Sequence, residues 1–194
     1  NFSVELNGWQ AHGWAIPQSV PSVPRLAAAH WYATVLGKEH EHGKASSRWQ
    51  CFFNEAYTLS GLPEKGAAIT CIENIAVEKP DYKYLDGNVF FEDALNNANI
   101  FKNQNQAQKV RALLTDLTRD HGKPSPFYAI LAMDGDHLGK QMSAENKQDP
   151  ITKGLAVFTN AVPGLVREQN GFLIYAGGDD VLARTGIALR ERDP

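Results

Sequence analysis

Apolar positions change their spacing along this chain. Up to about residue 120 they recur mostly at helical intervals. Arg25 to Leu36 is an Ala-rich stretch that predicts a helix, ended by Gly37. Lys38 to Ser47 holds His40, His42, glycine and charges, and reads as an exposed loop. Trp49 to Leu59 predicts a second helix, stopping at Gly61-Leu62-Pro63, whereas Ala67 to Val77 fits helix or strand. Asp81 to Asn88 is polar and turn-rich; Val89 to Ala98 and Asn105 to Arg119 predict two more helices. In the latter, Val110, Leu113, Leu114 and Leu117 form a stripe expected to face a core. Asp120 to Pro126 breaks this pattern. It is the expected boundary between a mainly helical domain, residues 1–120, and a second domain, residues 121–194. Residues 1 to about 24, with Trp9, Trp14, Pro17, Pro21 and Pro24, read as an irregular packed segment.

Beyond the boundary the pattern becomes short and continuous. Phe127 to Met133 and Phe172 to Ala176 are apolar runs that predict buried strands. Between them Ile151, Leu155, Phe158, Val162 and Val166 recur at helical spacing, with Asp149-Pro150 as a start signal and Asp149 as N-cap. Pro163-Gly164 falls inside that pattern and is expected to kink or shorten the helix. Gly177-Gly178 predicts a tight turn, with Val181-Leu182-Ala183 as a return strand.

Both predicted strands finish on acid. The first leads into Asp134-Gly135-Asp136-His137-Leu138-Gly139-Lys140, the second into Gly177-Gly178-Asp179-Asp180. Adjacent carboxylates repel unless a cation or basic group lies between them. An isolated Gly-Gly-Asp-Asp fits a solvated turn equally well. Two acidic strand ends around one helix are more specific, because they can gather hard oxygen ligands for Mg²⁺ or Mn²⁺ beside substrate phosphates.

The order strand, acidic turn, helix, strand, Gly-Gly-Asp-Asp turn, strand resembles the palm shared by nucleotide cyclases and many polymerases. More closely, Phe127 to Lys140 and Leu173 to Ala183 resemble the large signature subunit of type III CRISPR effector complexes of the Cmr kind. Pro24 to Trp31 is similar to the helical region preceding that family's palm, and the main match covers roughly residues 121 to 183. The resemblance implies an α/β (α+β) fold, a ferredoxin-like palm preceded by a mainly helical domain. It also implies an RNA-guided antiviral complex whose palm, when target RNA activates it, joins ATP into cyclic oligoadenylate second messengers. Partners would then be the other subunits, with guide RNA and target RNA reached through the complex. Relatives continue the palm through another helix and strand, so the palm is expected to be C-terminally incomplete and inactive alone. Arg184 to Pro194 is charged and unlike such a continuation. The His-Asp pair of the family's nuclease domain is not found, and Asp120-His121 has the reverse order. A signalling dinucleotide cyclase is the second enzyme reading, although Val181 stands where its motif has Phe. A palm kept as a nucleotide-binding scaffold is the non-enzyme reading.

Chemistry assigns roles within such a palm. Asp134 and Asp179 are the first candidate metal ligands and catalytic residues, with Asp180 as a further ligand or as base toward a ribose hydroxyl. Asp136 is either a supporting group or a surface Asp. The backbone of Gly135 to Gly139 is a candidate phosphate contact at a helix N-terminus, with Lys140 as a point charge or an ordinary exposed lysine. Gly177 and Gly178 would let a nucleotide approach the backbone, and Ser143 is a further candidate.

Composition narrows the picture slightly. The chain has 194 residues and a net charge of −3, so its overall balance does not suggest a polyanion binder. No apolar run reaches the roughly 18 residues of a membrane span. The first residue is Asn, from which a fragment or trimmed chain is expected. Cys51 and Cys71 are the only cysteines, which argues against a disulfide scaffold and for a reducing cytoplasm. With His30, His40 and His42 nearby, zinc is conceivable, but neither cysteine has a close partner, and buried thiols are the expectation.

Overall fold

The computed structural model describes residues 20–61, 68–143 and 148–187. The irregular segment expected over residues 1–24 falls almost wholly outside them, as do residues 188–194 of the charged tail.

Helix α1 (Val23–Glu39) opens the described chain, capped by Ser22, whose hydroxyl accepts from Arg25 N–H. It does not stop at Gly37. An interior glycine costs a helix only about 1 kcal/mol, and beyond it Glu39 is buried in an ion cluster that anchors the last turn. The expected exposed loop is instead a hairpin, β1 (His40–Glu41) and β2 (Lys44–Ala45), turning on His42 and Gly43 at φ 49° and 79°. Positive φ at both positions is the signature of a type I′ hairpin, and Ala45 and His40 are buried rather than exposed.

Helix α2 (Ser47–Ser60) follows, capped by Ser46 and ended by Gly61 at φ 77°. Residues 68–103 hold only short helical pieces: α3 (Thr70–Glu73), 3₁₀ turns at Pro80–Lys83 and Gly87–Phe90, and α4 (Glu92–Leu95). Val89 to Ala98 is therefore a turn and one short helix, not a single long one. Helix α5 (Gln104–His121) has its stripe where expected, with Val110, Leu114 and Leu117 buried and Leu113 packed beside them. The core of this region is aromatic. Trp49 lies with Tyr32, Phe52 and Tyr82 at centroid distances of 5.9, 5.6 and 6.3 Å, and Phe90 sits 4.6 Å from Tyr32.

The second region is a three-stranded antiparallel sheet in the order β3-β5-β4, made of β3 (Tyr128–Met133), β4 (Gly171–Gly177) and β5 (Asp180–Gly186). Between β3 and β4 come α6 (Leu138–Met142) and α7 (Gln148–Glu168). Helices followed by this β-α-β-β unit make the mixed fold expected of a palm behind a helical region. Helix α7 runs through Pro163 without being shortened, and Asp149 lies inside the helix rather than at its N-cap.

Phe158, Val162 and Val166 of α7 pack on Leu173, Ala176 and Val181, covering one face of β4 and β5. Strand β3 lies at the sheet edge, outside that cover. The expectation of two buried strands is therefore corrected. Ile130 is 62 % exposed, Leu131 and Met133 are also exposed, and Ile174 and Tyr175 of β4 stand open. One helix cannot cover both faces of three strands.

The two regions are joined by specific bonds. Trp31 Nε1 donates to the Gly122 carbonyl at 2.7 Å, Thr70 Oγ1 to Arg167 O at 3.0 Å, and Arg184 to Pro21 O at 2.7 Å. A side chain at Gly186 would collide with the Leu26 carbonyl, so the start of α1 lies directly against the end of β5.

Candidate functional site

The edge of the sheet gathers the acidic residues. Strand β3 ends at Met133, paired with Val181, so Asp134 emerges beside the start of β5, where Asp180 pairs with Gly177. Gly178, at φ 63°, turns the chain between β4 and β5 and sets Asp179 in the turn. One carboxylate oxygen each from Asp134, Asp179 and Asp180 lie within 4.8 Å of one another. Among the described residues this is the group of three side chains able to hold a metal ion.

Gly135 makes that gathering possible. A Cβ there would lie 2.5 Å from Asp179 Cβ and 2.7 Å from its Oδ2, so only glycine lets the two acidic turns close together. The charges are in direct conflict. Asp180 has its pKa raised, first by a hydrogen bond with Asp134 and further by burial and the charges of Asp134 and Asp179. Carboxylates crowded this way, Asp134 and Asp180 exposed and Asp179 half-buried, fit divalent cations with hard oxygen ligands, the donor set Mg²⁺ and Mn²⁺ prefer. The donors present suit the metal expected from the sequence.

The remaining candidates sit around this centre with less definition. Asp136 is exposed in the turn after Gly135, and His137 follows in the left-handed region at φ 61°. Gly139 and Lys140 lie exposed in α6. That helix is five residues long, so a phosphate there would meet individual amides and the Lys140 ammonium rather than an extended helix dipole. The Ser143 hydroxyl donates back to Gly139 O at 2.8 Å. Gly177 and Gly178 close β4 and form its turn. In the helical region the expectation of buried thiols is corrected: Cys51 is exposed, and the half-buried Cys71 thiol lies 3.8 Å from Ala29 O, its pKa raised by burial. Tyr175 carries no motif signal in the sequence, where it is one residue of an apolar run, yet it stands on the sheet beside the triad.

Known proteins resemble the part of the chain that carries this cluster. Residues 127–188 match the family model described as Cas10/Cmr2, second palm domain. The chain is 32 % identical over 108 residues to the CRISPR system Cmr subunit Cmr2 of Pyrococcus furiosus, a match covering 41 % of this chain. It spans 12 % of that relative's length. The family-model match over residues 127–188 takes in both acidic turns, the helix between them and all three strands, the same unit that builds the carboxylate cluster. Residues 127–188 are therefore similar to the second palm domain of Cas10/Cmr2, and part of the chain resembles a Cmr-type large subunit.

Proposed function

We propose that this chain supplies a nucleotidyltransferase site that takes ATP with Mg²⁺ or Mn²⁺ and synthesises cyclic oligoadenylates within a type III CRISPR effector complex. The observation that carries the reading is the convergence of Asp134, Asp179 and Asp180 at one sheet edge. The palm match supports the effector-complex context.

Joining adenylates requires an attacking ribose hydroxyl, a leaving pyrophosphate and a held triphosphate. Bound divalent ions would neutralise the phosphates and acidify the attacking hydroxyl. Asp134 and Asp179, one from each acidic turn, would hold them, and Asp180 would complete the set as ligand or as base toward the hydroxyl. Gly135 keeps the two turns in register. Lys140 offers a positive charge to phosphate oxygens on the α6 side. The exposed position of the cluster leaves room for a triphosphate to enter without rearranging the sheet. Guide and target RNA would be held by the other subunits, in keeping with a net charge of −3 on this chain.

The test is ATP binding and product formation in the full chain and its complex, with and without Mn²⁺, for wild type and Asp179→Asn/Asp180→Asn. Metal-dependent binding and turnover should fall at least about 1,000-fold, the order expected when charge stabilisation and metal ligation are removed together. Turnover at the wild-type rate in a folded double variant would overturn the site assignment.

A further inference from the structure

Strand β4 contains a bulge whose consequence falls at the candidate site. Leu173 pairs with Ala183, but the next step along β5, Leu182, pairs with Tyr175, leaving Ile174 as the extra residue. In an uninterrupted strand Leu173 and Ala176 would point to opposite faces. The bulge puts both under α7, where they join Val162 and Val181. It also sends Tyr175 to the other face, in line with Leu182, Gly177 and Asp180. Bulges often re-aim a side chain beside an active site.

On that open face the Tyr175 ring lies along the strand toward the acidic turn. Its hydroxyl occupies the space that a side chain at Gly177 would fill, and Gly177 is the direct cross-strand partner of Asp180. The ring is thus next to the triad, and Tyr175 is still 39 % exposed. The opposite end of the same face is closed by the start of α1 against Gly186. An aromatic surface beside a phosphate-and-metal site offers a nucleobase a stacking partner that is tolerant of base identity.

We propose that Tyr175 is a base-stacking residue: the phosphates lie at Asp134, Asp179 and Asp180 while the base lies on the Tyr175 ring. The bulge at Ile174 is the element that presents the ring. This rests on the nucleotide-binding reading above. No stacking force is asked of the phenolic oxygen, so Phe should serve almost as well as Tyr.

Binding of Mn²⁺ with ATP and of Mn²⁺ with inorganic tripolyphosphate, which has no base, separates the contributions. For the full chain, Tyr175→Ala should weaken ATP binding by about tenfold, the lower end of base–aromatic stacking, and leave tripolyphosphate binding within about twofold. Tyr175→Phe should stay within about threefold of wild type for both. Equal loss of both ligands in Tyr175→Ala would make the residue a support for the carboxylates and overturn the proposal. So would undiminished ATP binding in a folded Ala variant. Wild-type binding of neither ligand would instead overturn the nucleotide site itself, and this inference with it.

Discussion

The helical region and the sheet region bury their apolar residues in very different ways. The first packs Tyr32, Trp49, Phe52, Tyr82, Phe90 and Leu114 to near-complete burial in one aromatic-rich core. In the second, the buried apolar residues among those described are Val162, Ala176, Val181 and Ala183, with larger residues half-covered around them. Ile130, Leu131 and Met133 of its edge strand stay open. The triad lies in the thinly packed region, where its carboxylates remain wet and accessible. The aromatic core holds α1, and α1 in turn braces β5 at Gly186, at the end of the strand remote from Asp180. Rigidity is therefore concentrated in one region and access in the other.

Truncating the dense core should have the largest effect on stability. Trp49→Ala is expected to cost about 3–5 kcal/mol, read by urea unfolding. A loss under about 1 kcal/mol would mean that the aromatic cluster is not the principal core. At the site the expected order is reversed, with little stability at stake and much activity. In Gly135→Ala the added methyl meets Asp179, so turnover should fall about a hundredfold, as for a misplacement near 1 Å. A thermal melt unchanged from wild type would confirm that the damage is local.

Between these lies the clasp that closes the helical region next to the linker. Glu39 accepts from Arg48 and from His121 Nε2, the latter at 2.6 Å, and Arg48 also pairs with Asp120. Burial pushes the Glu39 carboxyl up, but hydrogen bonds from Arg48, Ser46 and His121 outweigh it and hold the pKa at about 2, below its ordinary 4.5. A carboxyl depressed on folding stabilises the fold fully above its unfolded value. That contribution should fade as pH drops from about 4.5 toward about 2. Glu39→Gln should cost about 1–3 kcal/mol at neutral pH and flatten the acid limb of a stability–pH curve. An unchanged acid limb would assign the acid sensitivity to other carboxylates. The smallest effect belongs on the open sheet: Ile130→Thr should alter stability by less than about 0.5 kcal/mol. A larger loss in unfolding experiments would show that β3 is covered in solution.

Much of the site was legible because its signals are local. Asp134, Asp179 and Asp180 each follow an apolar run or a Gly-Gly turn within a few residues, so their convergence followed once both runs were read as strands of one sheet. The stripe of α5 was legible for the same reason, since helical spacing places Val110, Leu114 and Leu117 on one side without reference to anything distant. Burial of the strands was not legible. A continuous apolar run looks the same at a sheet centre and at an edge, and neighbours far along the chain decide which it is.

The sequence by itself determined the order of elements beyond residue 127, a tight turn between the last two strands and the acidic character of both strand ends, because backbone preference and side-chain spacing act over a few residues. Only the tertiary structure decided that α1 continues through Gly37 to bury Glu39, that α7 passes Pro163, and that the bulge at Ile174 turns Tyr175 toward the carboxylates. In each case a local preference worth about 1–3 kcal/mol was outweighed by packing and hydrogen bonding with partners distant in sequence.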